Sequence, residues 1–60
     1  MRIKTRHNIV ELSNIEYDAG RQVIYTDEIA VKITNYLKFT ERLEQLLTLG
    51  YADLSDCDEI

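Results

Sequence analysis

Residues 15–25 read Ile15-Glu16-Tyr17-Asp18-Ala19-Gly20-Arg21-Gln22-Val23-Ile24-Tyr25, and this stretch decides the fold of the chain. On both sides of Asp18-Ala19-Gly20, β-branched and aromatic residues recur at every second position, which is typical of β-strands. The three central residues fit a hairpin loop, because glycine accepts the left-handed backbone that such a loop requires. The sequence therefore predicts two antiparallel strands that place Tyr17 opposite Arg21.

The alternation continues outward from the loop, back to residue 3 and forward to residue 33. In the predicted register Glu11 faces Asp27 on the apolar side of the sheet, where like charges are destabilising. We therefore expect a bulge or bend near residues 12–14. The prediction is one long antiparallel β-hairpin, which the bend can turn into a three-stranded meander.

A helical period replaces the alternation after Asn35. Apolar residues then recur at spacings of three and four, at Tyr36, Phe39, Leu43, Leu46 and Leu47. Thr34 or Asn35 can cap the first turn, and Gly50 lies where a left-handed C-terminal cap is expected. The pattern predicts one amphipathic α-helix of about 15 residues.

Residues 27–34 allow a second interpretation. Thr26 can cap a longer helix that carries Asp27 and Glu28 in its first turn. The β-branched residues of this segment favour a strand, because they lose side-chain freedom in a helix. The preferred prediction is an α+β fold with a single domain at residues 1–52 and an acidic C-terminal tail at residues 53–60, with the longer helix as the alternative.

Composition and charge exclude several classes of protein. A chain of 60 residues buries one small core, and its single cysteine forms no internal disulfide. Its apolar runs are far shorter than the roughly 20 residues that cross a bilayer, and no segment has the pattern of a secretory signal. We expect a cytoplasmic protein with no membrane partner. The net charge of −4 opposes nucleic-acid binding at long range.

No group of residues predicts catalysis. The only histidine, His7, and the only cysteine, Cys57, lie fifty residues apart. The alternation makes His7 a partly buried strand residue, and Cys57 is expected to be exposed and unreactive among carboxylates that raise a thiol pKa. The acidic run lacks the pattern of a calcium loop, and neither zinc spacing nor a phosphate-binding glycine loop occurs. We expect a non-enzymatic protein with no catalytic residue, cofactor or metal.

The predicted register leaves more apolar strand surface than one helix can cover. Val10, Leu12 and Ile24 fall on the sheet face away from the helix. A two-stranded sheet is barely stable alone, and covering each of these side chains would contribute about 1.5 to 3 kcal/mol. We therefore expect a homodimer or a complex with a larger protein, with these three residues as apolar anchors.

Two charged surfaces accompany the apolar one. Four carboxylates are available for contact with a basic protein surface: Asp53, Asp56, Asp58 and Glu59. The same segment can instead be a disordered, solubilising end or a clamp on the protein's own basic side chains. Four basic residues are predicted to share one strand face: Arg2, Lys4, Arg6 and Lys32. They fit either a solvated face that discourages aggregation or a nucleic-acid-binding surface.

In size and acidity the chain is similar to many small inhibitors encoded by phages and mobile elements, some of which present carboxylates in place of DNA phosphates. The resemblance rests on length and net charge. It implies a small regulator or inhibitor that binds and blocks a larger macromolecule. The alternatives are a dimeric nucleic-acid-binding regulator that uses the basic face and an accessory subunit of a larger assembly.

Overall fold

A computed structural model describes residues 1–60 and shows an α+β fold with seven short strands and one helix. The elements are β1 (Arg2–Lys4), β2 (Ile9–Glu11), β3 (Glu16–Asp18), β4 (Val23–Tyr25), β5 (Ala30–Lys32), α1 (Tyr36–Leu49), β6 (Tyr51–Asp53) and β7 (Asp58–Glu59). The predicted α+β class is thus confirmed. Since β5 lies within residues 27–34, the alternative of one long helix there is wrong.

The first sheet has three strands in the order β2-β1-β6. β1 pairs with β2 in antiparallel fashion and with β6 in parallel fashion. The reversal between β1 and β2 is fixed by Thr5, which is buried: its Oγ1 accepts the N–H of Asn8 at 3.1 Å, and its own N–H donates to the Asn8 carbonyl at 2.7 Å. The sequence pattern gave no indication of the parallel pair, because its strands lie at opposite ends of the chain.

The second sheet has four antiparallel strands in the order β3-β4-β5-β7. Its register places Tyr17 opposite Ile24 rather than opposite Arg21. The single long hairpin of the prediction is therefore replaced by shorter pairings that belong to two different sheets. The chain leaves one sheet for the other at residues 12–15, which lie between β2 and β3.

The turn between β3 and β4 also differs from the prediction. It spans four residues, 19–22, and the left-handed backbone occurs at Gln22, with φ 56°, rather than at Gly20. The Gln22 side chain compensates for this conformation, because its Nε2 donates to the carbonyls of Ile33 and Thr34 at 2.7 and 2.9 Å. These hydrogen bonds therefore join the β3–β4 turn to the segment that follows β5.

The ends of α1 follow the prediction. Asn35 is the N-cap, and its Oδ1 accepts the N–H of Lys38 at 2.9 Å. Gly50 adopts φ 72° after the last turn, and its N–H donates to the Leu46 carbonyl at 3.1 Å. Glycine suits this position because other residues pay a steric penalty in the left-handed region.

One core joins the two sheets and the helix. Its members are Ile3, Ile24, Val31, Ile33, Phe39, Leu46, Ala52, Leu54 and Cys57. Two of them, Leu54 and Cys57, belong to the acidic run, and the N–H of Leu54 donates to the Lys4 carbonyl at 2.7 Å. Residues 53–60 thus contribute to both sheets, and a separate acidic tail is not confirmed.

Candidate functional site: the outer face of the four-stranded sheet

The predicted apolar anchors do not form a surface patch. Ile24 is only 1 % exposed and belongs to the core, so its prediction as a contact residue is wrong. Val10 is half-buried and stands opposite Ile3, on the same side of the sheet, because directly paired residues point the same way. Leu12 is half-buried against the core. Ile24 and Leu12 thus belong to the interior of the domain or pack against it.

The four predicted basic residues do not share a face. Arg2 forms a salt bridge with Glu11 at 3.0 Å, and Lys4 lies beside Asp53 in the register of the first sheet. Arg6 lies in the bend after β1, whereas Lys32 belongs to β5 of the other sheet. The expected stripe is therefore divided between two sheets, and one of its members is directly neutralised.

His7 and Cys57 also differ from their predictions. His7 is exposed in the bend after β1 rather than partly buried in a strand, and Cys57 is 6 % exposed rather than on the surface. Burial raises the pKa of the Cys57 thiol, and the Asp56 carboxylate raises it further. A buried neutral thiol is a poor nucleophile.

Two residues of the acidic run act within the molecule. Asp56 contacts Lys38 Nζ at 2.8 Å and Arg42 Nη1 at 3.2 Å, and these cations, Lys38 foremost, hold its pKa far below the ordinary value. Asp53 accepts the Ser55 hydroxyl at 2.6 Å and the Ser55 N–H at 2.9 Å, and both hydrogen bonds lower its pKa. Asp56 holds the C-terminal run against α1, whereas the Asp53 carboxylate fixes the turn within that run. The clamp therefore forms on the helix rather than on the basic strand residues.

The negative charge is concentrated on the four-stranded sheet. Residues 16–32 and 58–59, which comprise its strands and two of its connections, carry six carboxylates and two basic side chains. The rest of the chain carries five of each sign and is neutral. The entire net charge of −4 therefore belongs to this sheet and its loops.

The outer face of this sheet is apolar at its centre. Since Ile24 and Val31 point into the core, their neighbours along β4 and β5 point outward. An open groove of about 740 Å³ follows this face. We call it the sheet groove, and its apolar lining consists of Val23, Tyr25, Ile29, Ala30 and Ile60.

Charged groups surround the sheet groove unevenly. Asp27 and Glu28 lie at the end formed by the β4–β5 loop, and no salt bridge engages either of them. At the opposite end, Arg21 Nε lies 3.7 Å from Asp18, and the Lys32 ammonium donates to the Arg21 carbonyl. The groove thus has an acidic end and an end that carries the two basic side chains of the sheet.

The raised pKa of Tyr25 indicates that the electrostatic potential at this face is negative. It pairs with Glu16 across β3 and β4, and the negative charge of Glu16 is the largest cause that raises its pKa. Partial burial and the charge of Asp18 raise the pKa further. A negative field opposes formation of tyrosinate, which is the effect expected on an acidic surface.

Sequence reasoning missed the groove residues because the sheet faces were assigned from one continuous alternation. Since Ile24 is predicted to face away from the helix, one unbroken alternation puts positions 23 and 25 on the covered side together with positions 31 and 33. In the structure the β4–β5 loop interrupts the alternation. Even-numbered residues face inward in β4 and odd-numbered residues face inward in β5, so that Ile24 and Val31 share the inner face. The useful signal was the run Thr26-Asp27-Glu28, whose polar residues separate two short strands.

Comparisons with protein families, with curated proteins and with solved structures find no match for this chain. No group of three or more potential metal ligands comes together in the structure. The single helix has neither the length nor the hydropathy needed to cross a bilayer. The sheet groove is therefore interpreted from its own geometry and charge.

Proposed function

We propose that this protein is a small non-enzymatic interaction module, a regulator or inhibitor that binds and blocks a larger protein with a basic surface. One observation carries the proposal: the whole net charge lies on one sheet, and the outer face of that sheet has an uncovered apolar centre. Apolar residues within a charged rim are the usual composition of a protein interface. The charged rim steers a partner of opposite sign and selects against others.

The residues assigned to this contact differ in part from the sequence prediction. Asp58 and Glu59 remain, since they form β7 at the edge of the acidic sheet. Asp53 and Asp56 are replaced by Asp27 and Glu28, because the former are already bound within the molecule. Within this proposal, the carboxylates of the sheet occupy the sites on a basic protein that would otherwise bind phosphates of a nucleic acid.

Three further points belong to the same proposal. A reducing compartment such as the cytoplasm suits a chain whose one thiol is buried and free. A homodimer through this face is disfavoured, because it would oppose two surfaces of the same sign. A nucleic-acid-binding role is disfavoured because the basic residues that it needs are dispersed, as described above.

Affinity capture from the source cell with matched charge variants tests the proposal. Asp27→Asn with Glu28→Gln removes two negative charges beside the sheet groove. Glu41→Gln with Glu44→Gln removes the same charge from exposed positions of α1 and serves as the control. We expect the groove variant to capture much less of the partner protein than wild type does. We expect the α1 control variant to capture as much as wild type.

The salt dependence of binding to the captured protein, once purified, gives a second measurement. We expect wild type and the α1 control to show the same dependence on ionic strength, and the groove pair to show a weaker one. Equal loss in both pairs would mean that net charge alone governs binding. Equal retention in both pairs would place the interface elsewhere.

A further inference from the structure

We propose that the sheet groove receives one cationic, amphipathic α-helix of the partner, with the N-terminus of that helix at Asp27 and Glu28. The inference rests on the proposed interaction function and specifies what fills the site. It follows from three features of the groove: its shape, its backbone hydrogen bonding and its distribution of charge.

The shape of the groove depends on Ala30. This residue pairs with Tyr25 on one side, and its carbonyl accepts the N–H of Ile60 at 2.7 Å on the other. Ala30 therefore forms a floor between two larger side chains that stand one strand away in each direction. With strands about 4.8 Å apart, the backbones that carry the two walls are roughly 10 Å apart, so a segment that lies along β5 can rest its side chains on Ala30 between Tyr25 and Ile60.

The backbone of the sheet determines what kind of segment fits. The N–H and C=O groups of β4 and β5 are directed within the sheet, where they bond to neighbouring strands. An extended peptide adds to the edge of a sheet, where backbone groups are free, and not to its face. A segment buried on the face must satisfy its own backbone hydrogen bonds, and a helix does so internally.

The charge of the groove selects a cationic helix and gives it a direction. Glu16 and Asp18 on β3 and Asp58 on β7 share the outer face, because their partners in the register are Tyr25, Val23 and Lys32. Lysine or arginine on the flanks of the helix would be attracted to these carboxylates. Asp27 and Glu28 lie at one end and favour the positive N-terminus of a helix dipole. Arg21 and Lys32 lie near the opposite end and offset the charges of Asp18 and Asp58 there, so the negative potential is weaker where the C-terminus of the helix would lie.

A second copy of the chain does not provide such a helix. The exposed apolar residues of α1, such as Leu37 and Leu47, lie on the side of the helix that also carries Glu41 and Glu44. α1 carries two bases and two acids and has no net positive charge. The occupant is therefore a helix of a different, basic protein.

Synthetic peptides test the inference with the full-length protein. The probe is a helix of about 14 residues built only from leucine and lysine, with leucine at helical spacing. Three comparisons accompany it: the same pattern with glutamate in place of lysine, the leucine–lysine composition with proline in its centre, and oligolysine. We expect binding by the leucine–lysine helix alone, with chemical-shift changes at Tyr25, Ala30 and Ile60 in nuclear magnetic resonance spectra.

Variants of the groove provide the matched controls. Ala30→Phe fills the floor and should weaken binding of the leucine–lysine helix about tenfold or more. Ile9→Phe introduces the same side chain at an exposed position of the other sheet and should leave binding unchanged. If Ala30→Phe fails to fold, Ile60→Ser removes one wall at a side chain that is 77 % exposed, and it should also weaken binding.

The direction of the helix is tested with a nitroxide label at either end of the peptide. We expect the N-terminal label to broaden the resonances of Asp27 and Glu28, and the C-terminal label to broaden those of Arg21 and Lys32. The reverse pattern would overturn the assigned direction. Equal binding of the proline-containing peptide, or shift changes confined to the three-stranded sheet, would overturn the helical occupant.

The failures of the two proposals are distinguishable. If the leucine–lysine helix does not bind while capture of the cellular partner remains sensitive to Asp27→Asn with Glu28→Gln, the interaction function stands and the helical occupant is wrong. If the peptide binds in the sheet groove but no cellular partner depends on these carboxylates, the helical inference describes the groove chemistry correctly and the proposed function fails.

Discussion

The change in the free energy of unfolding caused by Leu54→Ala measures how much residues 53–60 contribute to the stability of the domain. The Leu54 side chain is 0 % exposed, and its position between β6 and β7 holds a strand of each sheet in place. Truncation of a leucine in a packed core costs about 2 to 5 kcal/mol, because apolar contact is lost and a cavity remains. A domain of this length has a total free energy of unfolding of about 3 to 9 kcal/mol. The substitution therefore removes a large part of the stability.

Urea denaturation, followed by the circular dichroism of α1, gives the magnitude. We expect a lower midpoint at an unchanged slope, and a decrease in the melting temperature of about 8 to 40 °C. Leu49→Ala is the matched control, since it deletes the same atoms from a side chain that is 74 % exposed, and it should change stability by less than about 0.5 kcal/mol. Equal effects of the two substitutions would refute the conclusion that residues 53–60 are part of the core.

Three further predictions concern pH, backbone conformation and the field at the acidic sheet. Asp56→Asn should lower the free energy of unfolding by about 0.5 kcal/mol near neutral pH, a small value because this ion pair is half-exposed. Its pKa is lowered in the folded state, so the stabilisation is complete above the unfolded pKa of about 4 and is lost as the pH falls below it, and urea denaturation should show wild type and variant converging in acid. Gly50→Ala should cost about 1 kcal/mol at φ 72°, whereas Gly20→Ala should change the urea midpoint little, and equal costs would contradict the assigned backbone. Glu16→Gln should lower the pKa of Tyr25 in an ultraviolet absorbance titration, and an unchanged alkaline titration would show that Glu16 does not act on it.

The helix was predictable because its signals are local. Apolar spacing, the Asn35 cap and the Gly50 cap are all encoded within residues 35–50, and the structure has a helix at Tyr36–Leu49 between these two caps. The strand at β4 was predictable for the same reason. In each case neighbouring residues determine the conformation, so the sequence pattern is sufficient.

The pairing of strands was not predictable, because it depends on contacts between distant residues. The parallel β1–β6 pair joins Arg2 to Tyr51, and no local pattern distinguishes it from an exposed end. The hairpin register also shifted, since Gln22 adopts a left-handed conformation that side-chain hydrogen bonds from Nε2 to two carbonyls compensate. The partner of Tyr17 moves by three positions, from Arg21 to Ile24, and a shift by an odd number of residues exchanges the two faces of a strand. For this reason Ile24 is in the core.

For the candidate site, the sequence indicated an acidic contact surface but assigned it partly to the wrong carboxylates. Asp56 cannot be distinguished from Asp58 by composition, because the difference arises only when Lys38 and Arg42 approach one of them. The sheet groove depends on the small size of Ala30 between two larger neighbours, and this arrangement exists only once three strands are aligned.

The pairing of β6 with β1 and of β7 with β5 has a kinetic consequence. Contacts between residues so far apart in the chain form late and slow the folding reaction, because a long loop must close first. Until they form, one backbone edge of β1 and one of β5 are open to other chains, which is the condition for aggregation. Residues 51–60, which contain β6 and β7, therefore act as a cover that completes folding and ends this period of exposure.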